Sequence, residues 1–176
     1  MQISSLYDTE SGVWKRQLDG LLLFIREHGD IRIVMSVCKN LSCLTPSQLS
    51  LPGISLLVAT VRGQQGRQVS GLSIAVDYGK EIFFVAVHPL YRNRGVGTLL
   101  LTEQVKRLGS LQCQVESTHA ASLKMCFKAG LVAVDLVNGP GEQPDLLLRT
   151  LPMKDTATET EFITSQEGDL LCRNPS

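Results

Sequence analysis

Glu81-Ile-Phe-Phe-Val-Ala-Val-His-Pro-Leu-Tyr-Arg-Asn-Arg-Gly-Val-Gly-Thr-Leu-Leu-Leu101 is the stretch whose reading decides the fold. An apolar strand runs into a proline break, then a loop of arginines and glycines, then an apolar helix. That order builds an anion pocket. Arg92 and Arg94 supply charge, Gly95 and Gly97 let the backbone turn, and the helix adds the positive end of its dipole. A diphosphate suits such a site.

Working outward, 176 residues with 43% hydrophobic content are enough for one domain with a real core. Lysine plus arginine equals aspartate plus glutamate, 17 against 17, so no global basic field favours nucleic acid or an anionic membrane. The five cysteines form no Cys-x-x-Cys pair and are odd in number. A reduced setting therefore fits better than a disulfide framework or a zinc site, and no metal is expected. The apolar run Leu21 to Ile25 is too short to span a bilayer. The expected location is cytoplasmic.

Upstream, Met1 to Tyr7 reads as an edge strand, and Asp8 to Ser11 offer helix-capping side chains. Trp14, Leu18, Leu21 and Ile25 follow at helical spacing, with Gly29 as the stop. Residues 31–51 fit either period: Ile31, Ile33, Met35 and Val37 alternate, while Ile31, Val34, Cys38 and Leu41 suit a helix, which we favour. Ile54 to Val61 and Val69 to Tyr78 read as strands around the turn Gly63 to Gly66. In the second strand Leu72, Ile74, Val76 and Tyr78 share one face.

Downstream of the loop, Leu101, Val105 and Leu108 mark one side of a helix that closes near Gly109. Leu111, Cys113 and Val115 alternate as a strand. A helix from about His119 ends at Gly130, with Ala120, Leu123 and Phe127 read as its core side and residues 119, 122 and 126 as a separate stripe. Strands Leu131 to Val137 and Asp145 to Leu151 close a domain over 1–151. The polar remainder, 152–176, reads as a flexible tail.

Three phosphate motifs compete for the central loop. No lysine follows the glycines with P-loop spacing. The dinucleotide fingerprint needs a third glycine where Leu100 stands. The third pattern, Gln/Arg-x-x-Gly-x-Gly/Ala, is present as Arg92-Asn93-Arg94-Gly95-Val96-Gly97. With Val-Ala-Val-His-Pro ahead and Thr-Leu-Leu-Leu behind, the chain resembles the GNAT superfamily of acetyl-CoA-dependent N-acyltransferases. The resemblance continues into the later helix. Lys128-Ala129-Gly130-Leu131 sets the register of the family's Asn-x-x-Ala-x-x-Leu-Tyr segment, placing His119 at the asparagine and Cys126 at the tyrosine.

The resemblance implies an α/β fold with a mixed, mostly antiparallel seven-stranded sheet, helices on both faces and a splay between the central strands. It implies acetyl-CoA as co-substrate and a primary amine as acceptor, either a small molecule or a protein lysine or N-terminus. Val85, Ala86 and Val87 would pair with the pantetheine arm. The backbone of Asn93, Arg94, Gly95, Val96, Gly97 and Thr98 would cradle the pyrophosphate. Arg92, at the motif position, is preferred over Arg94 as the added cation, and His119 would contact the pantetheine. Glu81, eleven positions before Arg92, matches the family's glutamate base, with Glu116 as a weaker alternative; an alkylammonium of pKa about 10 needs one at neutral pH. Cys126 is the candidate acid for the leaving thiolate, where the family has tyrosine. The departure leaves a second reading, a catalytically silent acyl-CoA-binding or regulatory module.

Overall fold

A computed structural model describes residues 1–5, 11–29, 31–63, 66–139 and 143–151. The expected polar tail, Tyr7, the capping residues Asp8 to Glu10 and the tip of the Gly63 to Gly66 turn lie outside the described residues. The chain forms strand β1 (Gln2–Ser5), helices α1 (Ser11–His28) and α2 (Ile31–Cys43), and strands β2 (Ser55–Gly63), β3 (Gly66–Val76) and β4 (Ile82–Val87). Helix α3 (Val96–Leu108), strand β5 (Gln112–Glu116), helix α4 (Ala120–Lys128) and strands β6 (Leu131–Val137) and β7 (Asp145–Thr150) follow.

Between residues 31 and 43 the helical period prevails. Val34, Val37, Cys38 and Leu41 are buried, whereas Met35, on the alternating face, is 77% exposed. The α1 residues Trp14, Leu18, Leu21 and Ile25 pack with them against Leu56, Val58, Leu72, Ile74, Phe84 and Ala86. On the opposite face, Val96 and Leu100 of α3 meet Leu57 and Ala59. Helices therefore sandwich the sheet, so β3 is buried continuously from Ser70 to Ala75 rather than alternating. The expected strand to Tyr78 stops at Val76. Asp77 and Tyr78 have φ of 47° and 55°, which breaks the extended chain.

The seven strands divide into a sheet ordered β1-β2-β3-β4 and a sheet ordered β5-β7-β6, with every pairing antiparallel. The turn before β4 lies against the start of β5, because a Cβ on Gly79 would collide with the Gln112 carbonyl. Both strands run away from that common end, joined by α3 as the crossover. They share no ladder, so they diverge toward Val87 and Glu116. The result is a wedge, closed at the strand starts and open at the strand ends.

Candidate coenzyme wedge

Backbone parity decides which groups of β4 face the wedge. His88 N–H donates to the Ser70 carbonyl at 3.0 Å. In an antiparallel ladder the hydrogen-bonding direction alternates, so Ala86, opposite Leu72, also spends its backbone groups on β3. Val85 and Val87 direct theirs the other way. Of the expected trio, Val85 and Val87 therefore direct backbone groups away from β3, Ala86 does not, and the Ala86 side chain is buried under α1 and α2.

Past Val87 the chain tightens around His88, whose Nδ1 accepts from Leu90 N–H at 3.2 Å. Asn93 takes φ of 60° and Gly95 φ of 80°, turning the backbone into α3. The first intrahelical bond runs from Leu99 N–H to the Gly95 carbonyl at 2.9 Å. The amides of Val96, Gly97 and Thr98 therefore point out of the helix end without intrahelical partners. These three N–H groups lie at the positive end of the α3 dipole, and we refer to them as the amide nest.

The two arginines differ in their partners. Arg92 donates from Nε to the Val87 carbonyl at 3.1 Å and from Nη2 to the His28 carbonyl at 3.2 Å. Its guanidinium ties the end of α1 to the end of β4. Arg94 is exposed beside the nest and has no side-chain partner among the described residues.

Met125 of α4 closes the far side. A Cβ on Gly97 would lie 2.7 Å from the Met125 Sδ and 3.6 Å from Val87 Cγ2, so α3, α4 and the end of β4 converge there. Cys126, one position on, is fully buried among Leu101, Leu111, Cys113, Leu131 and Leu148. Its Sγ is 3.9 Å from the Cys113 Sγ. Hydrogen bonding to Cys126, then burial, pushes the Cys113 thiol far above the ordinary range. The same bond pulls Cys126 down while burial opposes it. This is the environment of a packing residue. The inward face of α4 centres on Cys126; Ala120 and Phe127, read as core, are exposed, Phe127 by 49%.

His119 caps α4, and its Nδ1 lies 2.7 Å from Ser122 Oγ. Glu81 is exposed just before β4, at the closed end, four residues and about 13 Å of strand from Val85. Glu116 ends β5 at the open side, accepts from Thr118 Oγ1 at 2.7 Å, and stands opposite Asp145.

Sequence reasoning missed Gln104. Fully buried on α3, its Nε2 donates toward the Ser55 and Ser73 carbonyls and Ser73 Oγ at 3.1–3.2 Å, fixing the helix to β2 and β3. Only its polarity on an inward position hinted at this. A cavity of about 530 Å³ beside Gly53, Tyr78 and Arg107 lies at the other end of α3, remote from the nest. Among the described residues no cluster of three or more His, Cys, Asp or Glu could hold a metal, and no helix is long and apolar enough to cross a membrane.

Residues 51–130, which span β2 to α4, match the model of the acetyltransferase (GNAT) family. The match covers just under half of the 176 residues. Among solved structures, a ribosomal-protein-alanine N-acetyltransferase from Brucella melitensis superposes with a TM-score of 0.58 at 17% identity, covering 86% of this chain and 99% of that one. The ribosomal-protein-S18-alanine N-acetyltransferase from Escherichia coli gives 0.55 at 15% identity, over 92% and 98%. An aminoglycoside acetyltransferase in complex with coenzyme A and kanamycin gives 0.56 at 16%, over 85% and 94%. At these identities the likeness is one of fold. No curated protein matches the sequence.

Proposed function

We propose that this protein transfers an acetyl group from acetyl-CoA to a primary amine, by direct attack of the amine on the bound thioester. The observation that carries this reading is the edge of β4 open at Val85 and at the Val87 N–H, beside the amide nest of Val96, Gly97 and Thr98; the Val87 carbonyl already accepts from Arg92. The edge offers hydrogen bonds to the amides of a pantetheine arm, and the nest, with Arg94 beside it, offers them to a pyrophosphate. On this reading a Val85 or Val87 N–H stabilises the thioester oxygen as it gains charge. Glu81, exposed at the start of β4, is the proposed base, drawing the ammonium proton through water. The acceptor is a small amine, a protein lysine or a protein N-terminus.

Calorimetry with acetyl-CoA and with free CoA tests the coenzyme half. No heat and no thermal shift from either ligand would overturn it. A thiol-release assay over a panel of amines tests transfer. Glu81→Gln should lower the rate and shift its pH dependence upward, and an unchanged profile retires Glu81 as base. Burial of Cys126 at the position of the expected acid favours a second reading, coenzyme binding without turnover. Thiol release with any amine refutes it.

A further inference from the structure

With Cys126 withdrawn into the core, the departing thiolate needs another proton donor. Helix α4 follows directly from β5, so its first turn lies at the open end of the wedge. Ser122 sits one turn before Met125, the residue whose Sδ approaches Gly97 near Val87. By helical angle it falls between Met125 and Cys126, on the inward face, yet it is only half-buried. Its partial exposure puts Ser122 at the edge of that inward face, within reach of solvent. Behind it, His119 Nδ1 is 2.7 Å from Ser122 Oγ, and the imidazole is exposed.

We propose that Ser122 and His119 form a proton relay for the leaving thiolate. The inference rests on the acetyl-CoA reading above. As the amine nitrogen bonds to the thioester carbon, the C–S bond breaks and its electron pair stays on sulfur. Sulfur takes the proton of Ser122 Oγ, and Oγ takes the Nδ1 proton of a protonated His119. Solvent restores the imidazolium. Ser122 is the group at the sulfur, and His119 acts through it. The other titratable groups at this junction are Glu116, held by Thr118, Asp145 opposite it on β7, and Cys126 and Cys113 on the buried side.

The test needs no acceptor. The thiol of CoA bound to the full chain is titrated by its thiolate absorbance, referenced to the complex with desulfo-CoA. In the native protein the thiolate absorbance should rise in two steps, because a proton held on the relay changes the charge beside the sulfur. His119→Gln keeps a hydrogen-bonding side chain but cannot titrate, and should leave one step. Ser122→Ala should do the same, and Ser122→Thr should restore the second. CoA affinity should stay within about tenfold, the worth of one hydrogen bond. Equal binding with the same two-step curve in every variant, or a single step in the native protein, overturns the relay alone. Failure of the native protein to bind CoA overturns the coenzyme reading, and the relay with it. With an amine that turns over, both disabling variants should lower kcat on the order of 10²-fold.

Discussion

Arg92 Nη2 lies 3.2 Å from the carbonyl oxygen of His28, across 64 positions of sequence. A cation at the carboxyl end of α1 complements the helix dipole, and the second bond, from Nε to Val87, locks that helix end to the wedge wall. Both arginines are exposed, but the motif arginine has its guanidinium committed to two backbone carbonyls, and the neighbouring Arg94 has no side-chain partner among the described residues.

Replacing Arg92 by Ala should cost about 1.5–3 kcal/mol of stability, the worth of charged hydrogen bonds. Arg92→Lys should recover little, since an ammonium cannot span two carbonyls as a planar fork does. Arg94→Ala should leave the melting temperature unchanged and weaken CoA binding, most clearly at low salt. Thermal unfolding and calorimetry at two salt concentrations separate the two arginines.

Gly97→Ala brings a Cβ to 2.7 Å from the Met125 Sδ. The thioether end is flexible, so it should swing toward Val87 rather than unfold the domain. CoA affinity should fall about tenfold, about 1.4 kcal/mol, with the melting temperature nearly kept. Gly97→Ala with Met125→Ala should restore binding. Native affinity in the single variant would show that this contact does not shape the wedge.

Gly95→Ala isolates backbone strain. Nothing lies within 4 Å of a Cβ there, but φ is 80°. The loss should be about 1 kcal/mol, read from denaturant unfolding, because only the left-handed conformation is penalised.

Cys126→Tyr, which installs the family's residue, should destabilise rather than enhance. The site is fully buried, and overpacking costs about 1–3 kcal/mol. A stable variant with higher activity would contradict the packing role of Cys126.

The Cys113 thiol gives a pH dependence. Its folded titration is raised above the ordinary 9.0 by the bond to Cys126 and by burial. Its contribution to stability is therefore complete below 9.0 and is lost as pH rises beyond it, where the unfolded chain releases the proton and the folded chain does not. Above that pH the native protein should lose stability more steeply than Cys113→Ala, as followed by thermal unfolding. Parallel curves would refute the linkage.

Much of the fold was legible because local signals agreed. Trp14 to Ile25 has one period, Gly29 and Gly130 stop helices, and Arg92 to Gly97 has a spacing that few other sites need. The remainder depends on distant partners. The roles of Val85, Ala86 and Val87 depend on which residue of β3 receives His88. The commitment of Arg92 depends on a carbonyl at the end of α1. Helix α4 has only nine residues, too few for its apolar pattern to distinguish a face centred on Cys126 from one through Phe127. Gln104 falls on the inward side of α3 by spacing, but its partners emerge only once Ser55 and Ser73 are brought beneath it.

The divergence of β4 and β5 leaves two strand edges unsatisfied within one molecule. Such edges invite a strand from another chain, and native proteins usually cover them. On the proposed reading the cover is the coenzyme, which would complete the sheet as a missing strand would. On that reading occupancy of the wedge would bear on solubility as well as catalysis: without acyl donor, the empty protein would be the form exposed to mispairing.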